Sequence, residues 1–198
     1  ATSGPGVTNL LTAVADAKLD SIPIIAITGQ VALPLIGTDA FQEVDTFGMS
    51  LPITKHNFLV KNAEELLRII PESFRIATSG RPGPVLIDIP KDVQLQKIEV
   101  NKWPKLEYEK EKFFISTNLL NKTVEMINSA QKPLIFIGGG MLWSDAVGLT
   151  EELSNMIKAP IASTLMGLGM VADSDPNFLG MVGMHANRFT NSLFNQSD

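Results

Sequence analysis

Three loop segments in the first half of this sequence carry residue types that recognise ligands. The first, Ser3-Gly4-Pro5-Gly6, precedes a helical segment, and its glycines permit a close approach between the backbone and a bound group. The N-terminus of the following helix adds free N–H groups that favour an anion. From the spacing alone, an ordinary turn in which Ser3 or Thr8 caps the helix is the more common explanation.

The second segment, residues 28–43, follows an apolar strand, which is where open α/β sheets bind their ligands. Phe41 offers a stacking surface there, and Gln42 offers an amide. The third segment, residues 80–93, holds Arg81, whose guanidinium suits a phosphate, and Lys91 at the end of a strand. The residues alone leave a surface loop and a salt bridge as equally good explanations.

Glycine turns recur in the second half, within residues 136–140, 163–169 and 181–185. None of them matches the G-x-G-x-x-G dinucleotide fingerprint, which argues against a plain NAD-binding domain. Several such turns in one α/β unit favour an extended ligand. His56 and His185 are the two histidines, and an isolated histidine is more often structural than catalytic.

The composition limits the classes of function. The 198 residues carry a net charge of −5, so no broad basic surface is available for nucleic acid or an anionic membrane. There are no cysteines, which excludes disulfides, cysteine–zinc sites and thiol catalysis. No stretch reaches the roughly 18 apolar residues of a membrane span. The missing initiator methionine leads us to expect part of a longer chain.

Apolar periodicity predicts alternating helices and strands. In the first half we expect helices at residues 7–19 and 63–78, and buried strands at 22–27 and 85–90 with a short one at 58–60. The inward face of the second helix is expected to comprise Leu66, Leu67, Ile70, Phe74 and Ala77. In the second half we expect helices at 116–129 and 145–157 and strands at 133–137 and 160–163. This order predicts an α/β fold with two doubly wound parallel-sheet units.

In this order the segments resemble the large catalytic subunit of acetohydroxyacid synthase (acetolactate synthase), a family of thiamine-diphosphate-dependent enzymes. The resemblance spans nearly the whole chain and rests on ATSGPGVTNLLTAVADA, IIAITGQV, IGTDAFQE, ITKHNFLV, ATSGRPGPVLIDIPKDVQ, KPLIFIGGG, PIASTLMGLG and GMVGMH. ATSGPG occurs throughout thiamine-diphosphate enzymes, whereas IGTDAFQE, ITKHNFLV and ASTLMGLG point more specifically to the synthase.

The resemblance implies that residues 1–97 form the later part of a pyrimidine-binding domain, 98–112 a linker, and 113–198 the first part of a central domain of the FAD-binding type. It implies a transferase that decarboxylates pyruvate on thiamine diphosphate. The two-carbon unit then passes to a second 2-ketoacid, pyruvate or 2-ketobutyrate, in branched-chain amino-acid biosynthesis. The implied cofactors are thiamine diphosphate, Mg²⁺ and FAD.

The resemblance also assigns site residues. Pro5, Asn9 and Gln42 correspond to positions beside thiamine diphosphate, and Phe41 and Lys91 to positions at the substrate channel. The positions that touch FAD in flavin-containing members correspond to Ser21, Arg81, Gly139, Thr164, Leu165, Val182, Gly183, Met184 and His185.

Two elements of the family pattern have no counterpart in this sequence. The glutamate that activates the aminopyrimidine lies upstream, and Glu43 does not replace it, so we expect no catalytic residue within these residues. The GDG…N motif for Mg²⁺ and diphosphate is absent, so the metal ligands are expected outside this sequence. We therefore expect the 198 residues alone to be inactive. Ala32 and Ala186-Asn187 are smaller departures.

The implied partners are small 2-ketoacids, further copies of the chain in a dimer or tetramer, and a small regulatory subunit, with no nucleic acid and no membrane. The implied location is the bacterial cytoplasm or, in a eukaryote, an organelle, and we favour the cytoplasm. Two alternatives stay open. One is another thiamine-diphosphate decarboxylase or oxidase, and the other is a non-catalytic remnant that retains only cofactor binding.

Overall fold

The computed structural model describes residues 1–105 and 114–198, and the chain divides into two compact units, Ala1–Lys112 and Phe113–Asp198. The elements of the first unit are α1 (Pro5–Leu19), β1 (Ile25–Gln30), α2 (Thr46–Ser50), β2 (His56–Leu59), α3 (Leu66–Thr78), β3 (Val85–Pro90) and α4 (Lys91–Gln94). Those of the second are α5 (Thr117–Ser129), β4 (Ile135–Ile137), α6 (Gly140–Ser144), α7 (Val147–Ile157), β5 (Ile161–Ser163), β6 (Phe178–Met181) and α8 (Arg188–Gln196).

The first unit is built on a parallel sheet in the order β1-β3-β2. Its central strand, β3, is an apolar run in which Val85, Leu86 and Ile87 are fully buried, as expected for a strand covered on both faces. Leu86 packs with Val14 of α1, whereas Ile87 packs with Ile69 of α3. Because successive residues of a strand face opposite ways, the two helices cover opposite faces of the sheet.

The first predicted strand differs from the structure in its start and its burial. β1 begins at Ile25 rather than at residue 22, and the Ile27 side chain is 54% exposed. The reason is its place in the sheet: β1 is an outer strand of the described sheet, so one of its faces is only partly covered.

The inward face predicted for α3 is also wrong in part. The buried positions are Ile69, Ser73 and Ala77, while Ile70 and Phe74 are about two-fifths exposed. The Ser73 hydroxyl donates a 2.7 Å hydrogen bond to the Ile69 carbonyl, so this polar residue is buried without an unmet hydrogen-bonding group. The helix therefore lies where expected, with its face rotated toward the serine.

The second unit has a parallel sheet in the order β4-β5-β6, with a core of Ile137, Ile161 and Val171. The helix predicted for residues 145–157 is preceded by a separate short helix, α6. The two helices are separated at Asp145, whose φ of 55° lies in the left-handed region. β6 and α8 were not predicted, and the Asn187 side chain caps α8 by accepting from the Thr190 N–H.

The two parallel three-stranded sheets confirm the predicted α/β class with two parallel-sheet units. Ile98, at the start of the expected linker, packs against the core of the first unit. Residues 106–112 of that linker lie outside the described residues. No helix in the described part of the chain combines the length and apolar character needed to cross a bilayer.

Candidate functional site

The glycine turn before α1 and the loop before α2 meet at the carboxyl end of the first sheet. Gly4 is buried with φ of 61°, and Pro5 is the first residue of α1. A Cβ added at Gly4 would lie 2.8 Å from the backbone oxygen of Gln42 and 3.0 Å from its Cα. Only glycine allows this approach. Gln42 therefore packs against the residue that directly precedes Pro5.

The other predicted thiamine-side residue is Asn9, and the predicted substrate-channel residues are Phe41 and Lys91. Asn9 is exposed one turn further along α1, and the Phe41 side chain is 90% exposed. Lys91 begins α4 directly after β3. Together with Ser3 and Gln94 it lines a cavity of about 490 Å³ at the carboxyl ends of β1 and β3. This is the end of a parallel sheet at which ligands bind.

The Glu43 carboxylate fixes the backbone of the loop that carries Phe41 and Gln42. It accepts hydrogen bonds from the N–H groups of Gly37, of Thr38 (3.2 Å) and of Ala40 (3.1 Å). The bond from Gly37, with those from Ala40 and Thr38, holds the pKa of Glu43 below its ordinary value of 4.5. Glu43 therefore serves its own loop, which agrees with the expectation that it does not replace the activating glutamate.

A buried carboxyl lies beneath the same loop. Asp88, on β3, is 3% exposed and accepts from the Thr28 hydroxyl (2.7 Å) and from the Gln30 amide nitrogen (3.1 Å). Burial raises the pKa of Asp88 above its ordinary value of 3.8, and the hydrogen bonds from Thr28, Gln30 and Thr46 oppose that rise. Gln30 Nε2 also donates to the carbonyl of Val44 at 3.0 Å.

Ser21 and Arg81 are brought together at the other end of this sheet, before β1 and β3 begin. Arg81 Nε donates to the Ser21 hydroxyl at 2.7 Å, and Nη2 donates to the carbonyl of Leu19 at 3.0 Å. Ser21 adopts φ of 62°. The guanidinium thus closes the C-terminus of α1 through hydrogen bonds, and the salt bridge considered as an alternative for Arg81 is not found among the described residues.

In the second unit, the predicted flavin-side residues follow the three strands at one end of the sheet. The Thr164 N–H donates to the carbonyl of Ile137 at 2.9 Å, and the Val182 N–H donates to the carbonyl of Ser163 at 3.0 Å. Gly139 follows β4, and a Cβ added there would lie 3.2 Å from the Cβ of Met166. The loops after β4, β5 and β6 are therefore adjacent.

The loop after β6 is pinned by a side chain of α8. Asn191 accepts from the Gly183 N–H and donates to the Gly183 carbonyl, each at 2.9 Å, while Gly183 adopts φ of 115°. Met184 and His185 next to it are exposed, as is Leu165 after β5. The backbone of the loop after β6 is therefore held by Asn191, and the exposed side chains of Met184 and His185 take no part in holding it.

Two observations test whether the expected cofactors fit. The tight Gly4–Gln42 contact beside the cavity is backbone that a flat heterocycle can approach, which suits thiamine diphosphate. In the second unit the Ser163 hydroxyl is fully buried and has no hydrogen-bond partner within the described residues, at the strand end where the flavin-side loops meet. No group of three or more acidic or histidine residues within 1–105 and 114–198 is arranged to hold a metal ion, so no step is assigned to Mg²⁺ here.

Sequence reasoning missed the hydrogen-bonded group formed by Asp88, Gln30, Thr28 and Thr46. A signal for it was present, because Asp88 is a lone acid within a strand predicted to be buried. A buried charge requires hydrogen-bond partners, which come here from the neighbouring strand and loop. Which partners they are depends on the β1–β3 register, which pairs Thr28 with Asp88.

Two family models match the chain: the thiamine pyrophosphate enzyme N-terminal TPP binding domain at residues 1–49, and the thiamine pyrophosphate enzyme central domain at residues 120–198. Over all 198 residues the chain is 50% identical to the acetolactate synthase isozyme 1 and isozyme 2 large subunits of Escherichia coli (strain K12), covering 35% and 36% of them. It is 45% identical over 202 residues to the acetolactate synthase large subunit of Porphyra purpurea, covering 34% of that protein.

The chain thus spans about a third of the length of these curated relatives. The two matched segments fall one in each compact unit, and each contains a parallel sheet or part of one. This similarity confirms the resemblance drawn from the sequence motifs. The chain belongs to the thiamine pyrophosphate enzyme family, and its homologues over the whole sequence are acetolactate synthase large subunits.

Proposed function

We propose that this chain is part of an acetolactate synthase, which decarboxylates pyruvate on thiamine diphosphate and transfers the two-carbon unit to pyruvate or 2-ketobutyrate. The reaction belongs to branched-chain amino-acid biosynthesis. The activity is that of a complete protein, of which the 198 residues match about a third in the relatives. We expect these residues alone to form no acetolactate, since the family's activating glutamate and magnesium motif have no counterpart among them.

The observation that carries the proposal is the contact between Gly4 and the backbone of Gln42 beside the cavity. It lies within the segment that matches the TPP binding domain. Thiamine diphosphate, when bound, supplies the electron sink for decarboxylation. Pro5, Asn9 and Gln42 would bind and orient it: Pro5 directly follows Gly4, Gln42 packs against Gly4, and Asn9 lies one turn further along α1.

Lys91 and Phe41 are the proposed substrate residues. The Lys91 ammonium lies at the cavity, where it attracts the carboxylate of a 2-ketoacid. The exposed Phe41 ring offers an apolar surface that excludes water from the reacting carbon. Both residues follow elements at the carboxyl end of the first sheet, which supports assigning them to the cofactor side.

FAD is the second proposed cofactor. Its proposed contacts in the second unit are Gly139, Thr164, Leu165 and residues 182–185. Ser21 and Arg81, in the first unit, are assigned to the flavin by the family resemblance alone. Support comes from the adjacency of the three loops and from the unpartnered Ser163 hydroxyl. Arg81 uses Nε and Nη2 within the chain, which leaves Nη1 for a cofactor oxygen.

The remaining parts of the proposal concern the complete protein. Mg²⁺ would be held by residues outside this sequence. The relatives are named large subunits, which supports a small regulatory subunit as a partner. We further propose a homo-oligomer, a dimer or tetramer, in the bacterial cytoplasm, or in an organelle if the source is a eukaryote.

The test is acetolactate formation from pyruvate by the complete protein, with and without added thiamine diphosphate. We expect Lys91→Gln to raise the KM for pyruvate about tenfold, the scale of one charge-assisted hydrogen bond. Lys97→Gln is the matched control, because Lys97 is exposed and does not line the cavity. Equal effects of the two substitutions would contradict the role of Lys91.

Two outcomes favour the alternatives. Carbon dioxide release from a 2-ketoacid without acetolactate formation indicates another thiamine-diphosphate decarboxylase or oxidase. A flavin absorbance spectrum in a protein that neither releases carbon dioxide nor forms acetolactate indicates a cofactor-binding remnant.

A further inference from the structure

The strongest unassigned feature is the buried carboxyl of Asp88, which none of the proposed cofactor or substrate contacts uses. It sits in the middle of the central strand β3, where a charge is costly unless it is hydrogen-bonded. One oxygen accepts from Thr28 on the neighbouring strand, and the other accepts from Gln30 at the end of that strand. Gln30 is itself 5% exposed, so the amide is held inside the fold.

From Gln30 the hydrogen bonds continue into the loop that follows. Its amide nitrogen donates to the Val44 carbonyl at 3.0 Å and lies 3.2 Å from the Thr46 hydroxyl. Its amide oxygen accepts from the Val31 N–H at 2.8 Å. Gln30 therefore ties together the first residue of the loop and the point at which the chain returns to the sheet.

Val44 is two residues from Gln42, whose φ of 60° is unusual for a residue other than glycine. The Gln42 backbone is the group packed against Gly4. A fixed Val44 therefore restricts where the Gln42 backbone can lie. Glu43 orders the loop on its other side, through Gly37, Thr38 and Ala40, but makes no bond to the sheet.

We propose that Asp88 and Gln30 are positioning residues that seat the Gln42 loop on the Gly4 turn, and through that contact shape the thiamine diphosphate site. The assignment of the ligand rests on the proposed function. The positioning itself rests on the hydrogen bonds from Asp88 to Gln30 and from Gln30 to Val44. Asp88 does not line the cavity and is assigned no contact with the cofactor, whereas Gln30 is among the residues that line it. The test on cofactor affinity below is therefore made on Asp88.

The first test needs no ligand: hydrogen exchange of the amides of residues 36–45 in the complete protein. Asp88→Leu removes both acceptor oxygens, whereas Asp88→Asn keeps one carbonyl oxygen that can still accept from Gln30. Thr28→Val is the control, because it removes the other partner of Asp88 without touching the hydrogen bonds to the loop. We expect about tenfold faster exchange of the loop in Asp88→Leu, with Asp88→Asn and Thr28→Val close to wild type.

If Asp88→Leu fails to fold, Gln30→Met replaces it, since it removes the donor to Val44 and leaves Asp88 and Thr28 in place. Faster exchange confined to the loop supports the proposal. The proposal is overturned if the loop amides exchange as fast in Thr28→Val as in Asp88→Leu or Gln30→Met. The hydrogen bonds of Asp88 would then only stabilise the sheet.

The second test separates positioning from general loss of stability through a double-mutant cycle on the Kd of thiamine diphosphate. We expect Asp88→Leu to raise that Kd about tenfold in the wild-type background. In a Gln42→Ala background the backbone contact with Gly4 remains, but the side-chain amide proposed to bind the cofactor is gone. The rise should therefore fall to less than about twofold, since the group being positioned is already absent. A full effect in both backgrounds overturns the proposal. A wild-type protein that binds no thiamine diphosphate refutes the proposed function, while the exchange experiment still decides the positioning.

Discussion

Gly4→Ala is the substitution for which the structure predicts the largest effect at the proposed site. Gly4 combines φ of 61° with ψ of −112°, a conformation outside the left-handed helical region, and holding a residue with a side chain there costs about 1–3 kcal/mol. The new methyl group would lie 2.8 Å from the Gln42 backbone oxygen, and forcing an extra carbon into filled space costs roughly 1–3 kcal/mol. Together we expect the free energy of unfolding to fall by about 2–6 kcal/mol, with Gln42 displaced from the turn.

Alanine substitutions at two other glycines separate the backbone cost from the cost of crowding. Gly80 has φ of 52° and no atom within 4 Å of an added Cβ, so Gly80→Ala carries the backbone cost alone. At Gly6 an added Cβ would lie 2.8 Å from the Cγ2 methyl of Thr2, which can rotate away. Since Gly6 lies within α1, alanine there also gains about 0.5–1 kcal/mol of helix stability, and the net effect should be small.

The assays are urea denaturation and the Kd of thiamine diphosphate, both on the complete protein. We expect Gly4→Ala to weaken binding tenfold or more and Gly80→Ala to change it less than about twofold, while Gly6→Ala serves as a control for stability only. If Gly4→Ala binds thiamine diphosphate as well as Gly80→Ala does, the Gly4–Gln42 contact is not part of the cofactor site, and the central observation of the proposed function is lost.

The carboxyl groups of Glu43 and Asp88, whose pKa values are shifted in opposite directions, give predictions of opposite sign. Glu43→Gln should speed hydrogen exchange of the Thr38 and Ala40 amides without unfolding the protein, and unchanged exchange would contradict the role of the carboxylate in ordering the loop. Because the pKa of Glu43 is lowered in the folded state, its contribution is complete above 4.5 and is lost as the pH falls through the lower folded value, so the difference from Glu43→Gln should vanish in acid. The pKa of Asp88 is raised, so its contribution is complete below 3.8 and is lost as the pH rises through the folded value. In urea denaturation the stability of wild type relative to Asp88→Asn should therefore decline with rising pH, and an increase would show the sign to be wrong.

The sequence was sufficient where a local pattern determines the structure. Apart from Asp88, the run from Val85 to Ile89 is apolar and rich in β-branched residues, and it forms the central strand as predicted. The Gly4-Pro5 pair marks the start of α1 because glycine accepts positive φ and proline suits the first turn of a helix. In both cases the information lies within about six residues.

The sequence was insufficient where the structure depends on contacts between distant segments. β6 was missed because its four residues include Gly180 with φ of 83°, and its pairing with β5 is irregular. The partners of Arg81 could not be chosen from the sequence, since a carbonyl at the end of α1 competes with any anion. The approach of Gln42 to Gly4 likewise depends on the return of a long loop to the sheet.

A common arrangement explains why the predicted cofactor residues stand where they do. At the carboxyl end of each sheet, side chains that are not proposed to touch a cofactor bind the loop backbone: Glu43 holds the residues before Gln42, and Asn191 holds Gly183. The loops are thereby fixed without using the exposed groups at their tips, which is how a binding site is held ready before its ligand arrives. Arg81 differs, because two of its nitrogens already bind Ser21 and Leu19. A flavin that uses Arg81 would therefore either approach Nη1 or displace the Ser21 hydroxyl. Ser21→Ala distinguishes the two, because flavin binding should tighten if the hydroxyl has to be displaced and should not tighten if the flavin approaches Nη1.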